Sequence, residues 1–574
     1  MRRTSTHFNI QNSSFVKEQI LNWAQKFETI VWLDSNNHTG KYTEYEGVLA
    51  VGVQNELLSS SKNAFEQLKT FQSKYKDYLF GFLGYDLKND VEQLTSENHD
   101  QLDFPDLYFF QPQKLIFVSK GQLVFKYLLA FEDEISEDFH EIKQTKDLKV
   151  AASEQNIEIQ SRISKKSYLQ KAARFLDHIH RGDLYEANFC QEFYTEKTTI
   201  DPLLVYRNLN RISKAPFAAF LKYENKHALC ASPERYLKKT KDTLISQPIK
   251  GTAKRAASKE EDALIKQQLQ SDTKEKAENI MIVDLVRNDL SRIAHKGSVQ
   301  VEELCKVYSF QQVHQMISTI SAKVPPKTHP VTLLKNTYPM GSMTGAPKVA
   351  AMTLIEREEE TKRGLYSGSI GYFSPEGDFD FNVVIRSILY NRENRYTSFS
   401  VGSAITAQSI PENEWEECLL KAKAMREVLR WKTILHSFVH LLKKNLCFYD
   451  VNSYIWIAKT DNLCFKKSYK PIPVLENFDK HLKKNFPLLQ TRSLLLAISG
   501  GLDSVVMLHL MRKYAKNCTI AHCNFQLREA ASDLDALFVK NLGASMKIPV
   551  VSVNFDTEAY ADEYKVSIQM AARK

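Results

Sequence analysis

The order of strand-like and helix-like segments changes once along this 574-residue chain, and that change constrains the fold more than any other feature. Through residues 183–431, strands and helices follow each other without a repeating strand–helix unit. This pattern predicts an α+β fold rather than a doubly wound sheet. Later, a helix over 474–485 precedes an apolar strand at 493–498, a glycine turn and a helix from Val505. That strand–turn–helix unit predicts a second, partial α/β Rossmann-like domain.

Smaller signals divide the chain further. The apolar segments 81–87 and 114–131 predict strands, the second with a turn at Lys120-Gly121. A helix is predicted over 164–181, with Gly182 just beyond its end. We therefore predict four parts: an N-terminal lobe at 1–150, a catalytic domain at 151–431, an irregular linker at 432–473 and a last segment at 474–574.

Composition excludes several classes of protein. Hydrophobic residues make up 43% and charged residues 25%, as in ordinary globular chains. No apolar run is long enough to predict a membrane-spanning helix. The first residues lack the apolar stretch of a signal peptide, so none is predicted. Eight cysteines without a CxxC pair argue against a disulfide scaffold or zinc ribbon, so we expect a cytoplasmic protein. Residues 432–574 hold +8 of the net charge of +9, which indicates either a second function or a solvated basic tail.

A lysine and a carboxylate frame the first candidate site. SPERY contains Glu234, and PIKGT contains Lys250. Two antiparallel strands joined at Lys241-Asp242 would bring both side chains to one end of a sheet. Because a buried lysine loses its charge more readily than an arginine, Lys250 is a candidate nucleophile. The alternative is an ordinary surface lysine.

A helix predicted over 271–293 carries the next candidate. Asp272 and Glu275 form a plausible capping box at its start. Glu278 falls on the apolar face of this helix, where an ionised carboxylate needs a partner or a metal ion. The alternative is a salt bridge to Arg287.

A second acidic helix is predicted over 411–431. Glu414, Glu417 and Lys421 share one face of it. Together with Glu278, these carboxylates predict a Mg²⁺ site, since magnesium binds few protein carboxylates and leaves room for a substrate carboxylate. The alternative is a solvated acidic face.

The motifs taken together resemble the chorismate-utilising enzymes over nearly all of residues 1–431. The resemblance is to aminodeoxychorismate synthase component I and anthranilate synthase component I, and it implies their large two-lobed fold. Where anthranilate synthases look like PIAGT, this chain reads PIKGT, which resembles the aminodeoxychorismate branch. The matching motifs are IHRGDLYEANFCQEF, SPERY, PIKGT, AENIMIVDLVRNDLSRIA, SMTGAPK, SGSIGYF, VVIRSI and EECLLKAKA.

This resemblance implies an activity and roles for individual residues. Lys250 would attack C2 of chorismate and expel the C4 hydroxyl, after which ammonia attacks C4 and releases the lysine. Glu234 would be the general acid/base, and His314 would lie near the departing hydroxyl. No glutaminase motif is apparent, so a separate glutamine amidotransferase subunit would supply the ammonia. Further matches are Thr344, Tyr372, Arg386, Gly402 and Lys421 as substrate contacts, and Glu278, Glu414 and Glu417 as Mg²⁺ ligands.

Two stretches differ from the family pattern or match it only loosely. Ser403 and Ala404 replace glycines beside Gly402, and their Cβ atoms are expected to narrow the approach to a chorismate carboxylate. Relatives bind tryptophan through the region of VWLDSN. Ser35 is compatible with that ligand, and equally with a short polar turn.

The loop after the strand at 493–498 is a candidate phosphate site. Its glycines can close on an anion at a helix N-terminus, and it resembles the ATP-binding loop of the N-type ATP pyrophosphatases. The surrounding sequence is similar to part of tRNA(Ile)-lysidine synthetase, which implies tRNA as a partner only if this segment is functional. For the whole chain we expect a chorismate-aminating enzyme that carries this part as a truncated or read-through segment. One alternative is a bifunctional protein with ATP and tRNA activity, and another is an anthranilate synthase, which differs in its product. The loop residues are Ser499, Gly500, Gly501, Asp503 and Ser504.

Overall fold

The computed structural model describes most of the first 443 residues and several segments beyond them. The described ranges are 2–145 without 39, 61 and 120; 157–443 without 257, 311 and 312; and 493–499, 502–512, 517–524, 530–555 and 557. The chain divides into two compact units, Met1–Ile434 and Leu435–Lys574.

Within its described residues the first unit contains one large sheet and helices packed against it. Its strands are β1 (Thr6–Asn9), β2 (Thr29–Asp34), β3 (Gly47–Ser59), β4 (Leu79–Leu83), β5 (Leu107–Ser119), β6 (Gln122–Phe125), β7 (Gln160–Ser161), β8 (Glu186–Thr195), β9 (Phe217–Tyr223), β10 (Lys226–Ser232), β11 (Arg235–Thr240), β12 (Thr243–Gln247), β13 (Ile249–Lys254), β14 (Gln300–Ser309), β15 (Val313–Lys323), β16 (Gly345–Ala346), β17 (Ser369–Phe373), β18 (Phe379–Asn382), β19 (Ser387–Asn391) and β20 (Tyr396–Thr406). The helices are α1 (Ser13–Ala24), α2 (Ala64–Tyr75), α3 (Lys88–Val91), α4 (Ile135–Gln144), α5 (Lys165–His180), α6 (Pro202–Ser213), α7 (Lys259–Ser271), α8 (Thr273–Ser291), α9 (Pro330–Thr337), α10 (Lys348–Glu358) and α11 (Pro411–Lys443).

The sheet is antiparallel and has two arms that share β5. One arm runs β5–β3–β2–β9–β10–β19–β20–β8. The other runs β5–β4–β17–β18–β11–β12–β15. β13 pairs with the same edge of β15 as β12 does, at a different place along that strand. The non-sequential pairing matches the α+β prediction.

Both faces of β2, in the first arm, are buried, and each face belongs to a different hydrophobic core. Val31 and Leu33 of β2 point into one core, while Ile30 and Trp32 point into the other. A strand buried on both faces reads as a continuous apolar run, and β2 does. Because each core draws residues from both sides of position 150, the predicted boundary there does not separate two cores.

Local signals predicted several elements closely. The helix expected at 164–181 is α5, and Gly182 follows it with φ +83°. The hairpin of β11 and β12 turns at Lys241 and Asp242 as expected. Asp272 caps α8 by accepting from the Glu275 amide at 2.9 Å. The strand predicted at 81–87 is shorter, since β4 is followed by a 3₁₀ turn over Tyr85–Leu87.

The end of the first unit differs from the prediction. The helix expected over 411–431 is α11, and it continues to Lys443. The first twelve residues of the predicted irregular linker are therefore helical. The rest of that linker and the helix predicted over 474–485 lie outside the described residues.

The second unit contains β21 (Ser493–Ala497), α12 (Leu502–Met511), β22 (Asn517–Asn524), α13 (Ala530–Met546) and β23 (Val550–Asn554). The strands pair in parallel in the order β21–β22–β23, with helices between them. This arrangement agrees with the predicted partial α/β domain. Across the described residues of both units, no helix is long and apolar enough to cross a membrane.

Candidate functional site

Lys250 lies at an irregularity in β13. The pairing of β13 with β15 shifts register between Ile249 and Thr252, and Gly251 has φ +86°, which favours glycine. The Lys250 ammonium donates to Glu186 Oε1 at 3.1 Å. Glu186 is fully buried at the start of β8, so the contact joins two distant strands of the sheet.

The charge of Lys250 differs from what the sequence suggested. Burial alone would lower the pKa of Lys250, but the surrounding carboxylates outweigh burial and raise that pKa above its ordinary value. The carboxylates are those of Glu186, Glu278 and Glu417. Lys250 is therefore an ammonium group in this structure, whereas the sequence argument expected burial to discharge it.

Glu234 lies close enough to Lys250 for their charges to interact, as the hairpin argument expected. Burial raises the pKa of Glu234 to about 7, although the Ser342 hydrogen bond and the charge of Lys250 act in the opposite direction. The Ser342 hydroxyl donates to Glu234 Oε1 at 2.6 Å. A carboxyl group with this pKa can hold or release a proton near neutral pH, as a general acid/base must.

The predicted metal ligands are neutralised by lysines in this structure. The Lys274 ammonium lies 3.7 Å from Glu278 Oε1 and 3.5 Å from Glu414 Oε1. Glu417 pairs instead with Lys421 at 2.6 Å. Burial raises the pKa of Glu278 to about 7, with the nearby lysines opposing it.

The alternative salt bridge from Glu278 to Arg287 does not form. Arg287 pairs with Asp284 at 2.6 Å on an exposed part of α8. Glu278 instead faces Lys274 and the charge of Lys250. The structure thus places Glu278 inside the candidate site.

Two acidic residues of this cluster were missed by sequence reasoning. Glu186 accepts from Lys250 through one oxygen, and its other oxygen is buried without a hydrogen-bond partner among the described residues. Glu275 lies beside Gly251, and burial and the charge of Glu417 raise its pKa. The signal for Glu275 was its position three residues before Glu278, which puts both on one helix face. The signal for Glu186 was its place inside the DLYEANF motif.

The donor chemistry of the cluster fits a hard divalent cation. Carboxylate oxygens are the ligands Mg²⁺ prefers, and one oxygen of Glu186 accepts no hydrogen bond from the part of the chain that the structure describes. The Lys274 ammonium lies within ion-pair distance of both Glu278 and Glu414, so these two carboxylates already bind one positive charge. In the described part of the chain, however, no three His, Cys, Asp or Glu side chains lie close enough together to hold a metal ion. The predicted Mg²⁺ site stays a prediction.

Arg386 is the strongest candidate for binding an anion. Burial lowers the pKa of its guanidinium, while Glu417 and Tyr366 oppose that effect. The guanidinium makes no hydrogen bond or ion pair with any residue that the structure describes. Arg386 is only partly buried, so its guanidinium stays accessible, and a planar carboxylate could bind it through two hydrogen bonds.

Tyr372, predicted as a substrate contact, packs among other aromatic rings. Tyr372 stacks on Phe80 with ring centroids 5.2 Å apart, and its hydroxyl lies 3.5 Å from Glu44 Oε2. Tyr366 is the tyrosine whose charge interacts with Arg386. The role of Tyr372 as a substrate contact stays a prediction.

Thr344 and Gly402 support the framework around the site. The Thr344 hydroxyl donates to the carbonyl of Gly341 at 3.2 Å, so its own loop already uses it. A Cβ on Gly402 would lie 2.5 Å from Cys190 Sγ and 2.9 Å from the Phe189 carbonyl oxygen. Close packing of β20 on β8 therefore explains this glycine. The Gly402 carbonyl accepts from Lys421 at 2.8 Å.

The two residues that replace family glycines have different surroundings. The Ser403 hydroxyl bonds the Tyr168 hydroxyl at 3.0 Å within a buried region. Its side chain thus points toward α5 and away from the face that Gly402 shares with Ala404. The expected narrowing by Ser403 is not seen, and Ala404 alone adds a methyl group to the face of Gly402.

His314 is fully buried on β15. Its ring nitrogens lie 2.9 Å from Ser309 Oγ and 3.0 Å from Asp262 Oδ1. The Cα of His314 is paired with Ala253 of β13, the strand that carries Lys250. The structure therefore brings His314 onto the strand next to the candidate nucleophile.

These geometric features agree with a comparison of the whole chain with known families. Residues 18–427 match the family described as chorismate binding enzyme. The chain belongs to the chorismate binding enzyme family. Residues 474–574 match the PP-loop domain.

Individual chorismate binding enzymes show how far the similarity reaches. The chloroplastic aminodeoxychorismate synthase of Arabidopsis thaliana is 36% identical over 415 residues, covering 68% of this chain and 44% of that protein. Aminodeoxychorismate synthase component 1 of Klebsiella aerogenes is 40% identical over 255 residues, covering 44% and 56%. The chain spans about half the length of these relatives. The crystal structure of anthranilate synthase component I from Streptococcus pneumoniae TIGR4 has 25% identity and a TM-score of 0.60, covering 68% of this chain and 95% of that one.

A separate cavity of this chorismate binding enzyme is lined in part by the VWLDSN segment. Ser35 lines it together with Asp34, Glu44, Arg235 and Asp380. The Arg235 guanidinium already binds Asp380 through two hydrogen bonds of 2.9 and 3.0 Å. Tryptophan binding here stays a prediction.

The predicted phosphate loop is described only in part. The Ser499 amide and hydroxyl each lie 3.2 Å from Ser504 Oγ, so the two serines meet across the loop. Gly500 and Gly501 lie outside the described residues, and Asp503 is described only as backbone of α12. The match to a PP-loop domain agrees with the fold predicted for this segment, and its ATP site stays a prediction.

Proposed function

We propose that this chain is the chorismate-aminating component of an aminodeoxychorismate synthase. The placement of Lys250 carries the proposal: a lysine in the PIKGT motif lies among carboxylates and within electrostatic reach of Glu234. The named relatives support the same activity. The reaction converts chorismate and ammonia to 4-amino-4-deoxychorismate, a precursor of p-aminobenzoate and folate.

Substrate binding is assigned to the unpaired guanidinium. Arg386 binds one carboxylate of chorismate through two parallel hydrogen bonds, which also orients the planar group. Lys421, which lies beside Gly402 and Glu417, is the second cation available on this side of the cluster. Fixing the substrate at such groups converts the attack by Lys250 into a unimolecular step.

The chemical steps use Lys250 and Glu234. Lys250 first gives a proton to Glu186, its hydrogen-bond acceptor, and its free electron pair then forms a bond to C2 of chorismate. The ring double bond shifts and the C4–oxygen bond breaks, while Glu234 donates the proton that turns the departing hydroxyl into water. Ammonia then bonds to C4, the double bond shifts back, and Lys250 leaves with its electron pair. His314 is proposed to stand near the departing hydroxyl.

Magnesium is proposed as the cofactor, held by Glu278, Glu414 and Glu417. Its charge would offset the carboxylates that now keep Lys250 protonated and would attract a substrate carboxylate. The residues Glu186 and Glu275 border the same cluster.

A separate glutamine amidotransferase subunit is proposed as the source of ammonia. The Klebsiella aerogenes relative is named component 1 of aminodeoxychorismate synthase, which supports the existence of a second component. Free ammonium salts replace such a subunit in an assay, which lets the chain be tested alone.

The first test is product analysis. With chorismate, Mg²⁺ and an ammonium salt, the purified chain is expected to form 4-amino-4-deoxychorismate without releasing pyruvate, because Lys250 occupies the position where anthranilate synthases look like PIAGT. Products are separated by chromatography, and pyruvate is measured with lactate dehydrogenase. Anthranilate as the main product would contradict the proposal and establish the anthranilate synthase alternative.

For the second unit we propose nucleotide binding at the loop between β21 and α12, supported by the PP-loop match and by the parallel strand–helix order.

The alternative of a bifunctional protein acting on tRNA has a direct test. A chain ending at Lys443 is expected to aminate chorismate as fast as the full chain, since every residue assigned to amination lies in the first unit. The full chain is assayed in parallel for ATP-dependent transfer of lysine to tRNA. Lysine transfer would establish the bifunctional alternative, and loss of amination on shortening would contradict the independence of the first unit.

A further inference from the structure

A small cavity of the first unit is lined by the proposed general acid. Glu234 and Ser342 both line it, together with Pro248, which stands two residues before Lys250. Its volume of about 20 Å³ exceeds the roughly 10–15 Å³ that one water-sized molecule requires. The cavity therefore has room for a single small molecule directly beside Glu234.

Asp289 of α8 lines the same cavity and has one hydrogen-bond acceptor unused. The residue is only 4% exposed. Its Oδ2 lies 2.7 Å from the Lys348 ammonium, whereas its Oδ1 is buried and accepts no hydrogen bond from the described residues. A buried carboxylate oxygen without a donor costs free energy, and a donor placed in the cavity would remove that cost.

The ion pair of Asp289 with Lys348 fixes this carboxylate to the framework. Lys348 lies at the start of α10, and its ammonium also donates to the carbonyl of Thr337, the last residue of α9, at 3.0 Å. Burial raises the pKa of Asp289, and the charge of Lys348 opposes that effect. The contacts join α8, α9 and α10, so one oxygen of Asp289 is held by the fold and the other is free for a ligand.

The surroundings of the cavity select a small cation that donates hydrogen bonds. Carboxyl groups of Asp289 and Glu234 both border it, and apolar side chains of Val286 and Leu290 form part of its wall. A cation loses its water in such a place and needs acceptors in return, which the carboxyl oxygens provide. Ammonium is of water size, carries one positive charge and has four N–H donors, so it meets each of these requirements.

We propose that this cavity binds the ammonium ion whose nitrogen becomes the amino group of the product, with Asp289 Oδ1 and the Glu234 carboxylate accepting its hydrogen bonds. The proposal rests on the function proposed above. Once Glu234 has given its proton to the departing hydroxyl, its carboxylate takes a proton from the ammonium. An N–H bond breaks, an O–H bond forms on Glu234, and the freed electron pair of ammonia bonds to C4. Glu234 is thereby protonated again for the next turnover.

The first experiment compares Asp289→Asn with Asp284→Asn in the full chain. Both changes remove one carboxylate from α8, but Asp284 is exposed and pairs with Arg287. Rates are measured with ammonium chloride varied at saturating chorismate. Asp289→Asn is expected to raise KM for ammonium about 10- to 100-fold, the scale of one hydrogen bond to a charged group, while KM for chorismate stays constant. Asp284→Asn is expected to keep both constants.

A second variant tests the cavity without disturbing the ion pair, in case Asp289→Asn does not fold. Val286→Ile adds one carbon atom to a side chain that lines the cavity. It is expected to raise KM for ammonium, because the added group takes up space that the ion needs. Val283→Ile is the matched control, since Val283 is buried in the core three residues earlier on α8. It is expected to leave KM for ammonium unchanged, and thermal unfolding is measured for every variant.

The step before ammonium enters separates binding from general damage to the site. Attack by Lys250 and departure of the hydroxyl need no ammonium, so intact mass should detect the covalent adduct at equal rates in the wild-type chain, Asp289→Asn and Val286→Ile. An unchanged KM for ammonium in these two variants would mean that the cavity holds only water and would overturn the proposal. An equal rise in KM for chorismate, or slower formation of the adduct, would overturn it as well.

The two levels of inference fail differently in these assays. If the wild-type chain forms anthranilate from chorismate and ammonium, the proposed function fails, and KM for ammonium in the same variants still decides the role of the cavity. If the wild-type chain forms 4-amino-4-deoxychorismate and the variants match it, only the cavity proposal fails. Absence of any turnover with ammonium by the wild-type chain would overturn both.

Discussion

Replacing Lys250 with alanine is expected to lower amination by about 10⁴- to 10⁶-fold, the scale of losing the nucleophile of a covalent mechanism. The reason is that Lys250 forms the bond to C2 that drives out the C4 hydroxyl. Chorismate should still bind, since Arg386 is untouched. Rates are measured with ammonium and saturating chorismate, and binding is measured by calorimetry. A covalent adduct trapped on the wild-type chain and detected by intact mass should be absent from the variant.

A matched variant controls for charge. Lys274 is another ammonium beside the same carboxylates, bridging Glu278 and Glu414. Lys274→Met removes the same charge from the cluster as Lys250→Met but leaves the proposed nucleophile. We expect the loss in Lys250→Met to exceed that in Lys274→Met by orders of magnitude. Similar losses in the two variants would mean that Lys250 acts by charge alone and would contradict its role as nucleophile.

Replacing Glu234 with glutamine is expected to cost about 10²- to 10⁴-fold in kcat, the usual contribution of a general acid. Burial raises the pKa of Glu234 to about 7, so the group is protonated below that pH and loses its proton above it. An acid that must donate a proton works in its protonated form. The wild-type rate of amination should therefore fall as pH rises through about 7, and this limb should vanish in the glutamine variant.

The Ser342 hydroxyl offers a control with a defined sign. It donates to Glu234 at 2.6 Å and stabilises the ionised carboxylate, so it lowers the pKa of Glu234. Ser342→Ala removes that hydrogen bond and is expected to move the descending limb of the pH–rate profile to higher pH. A limb that stays in place in both Ser342→Ala and Glu234→Gln would assign it to another group. Rates are compared at constant ionic strength.

Local sequence determined many elements and candidate residues of this protein. The hairpin joining Glu234 to Lys250, the capping of α8 by Asp272 and the parallel strand–helix order after Ser493 all follow from spacings within about twenty residues. Such spacings report on turns, caps and faces, because these depend on near neighbours in the chain. The motif PIKGT likewise singled out Lys250 without any knowledge of its surroundings.

The tertiary structure decided what those residues experience. The pKa of Lys250 is raised by Glu186, Glu278 and Glu417, which come from β8, α8 and α11. Their charges add only after folding, so no local pattern could show that the lysine is held protonated. The same holds for Tyr366 near Arg386 and for the close packing that requires Gly402. The sequence by itself determined which residues could take part and on which elements; the packing of distant strands and helices decided their charge and neighbours, because electrostatic and steric contacts depend on distances in space.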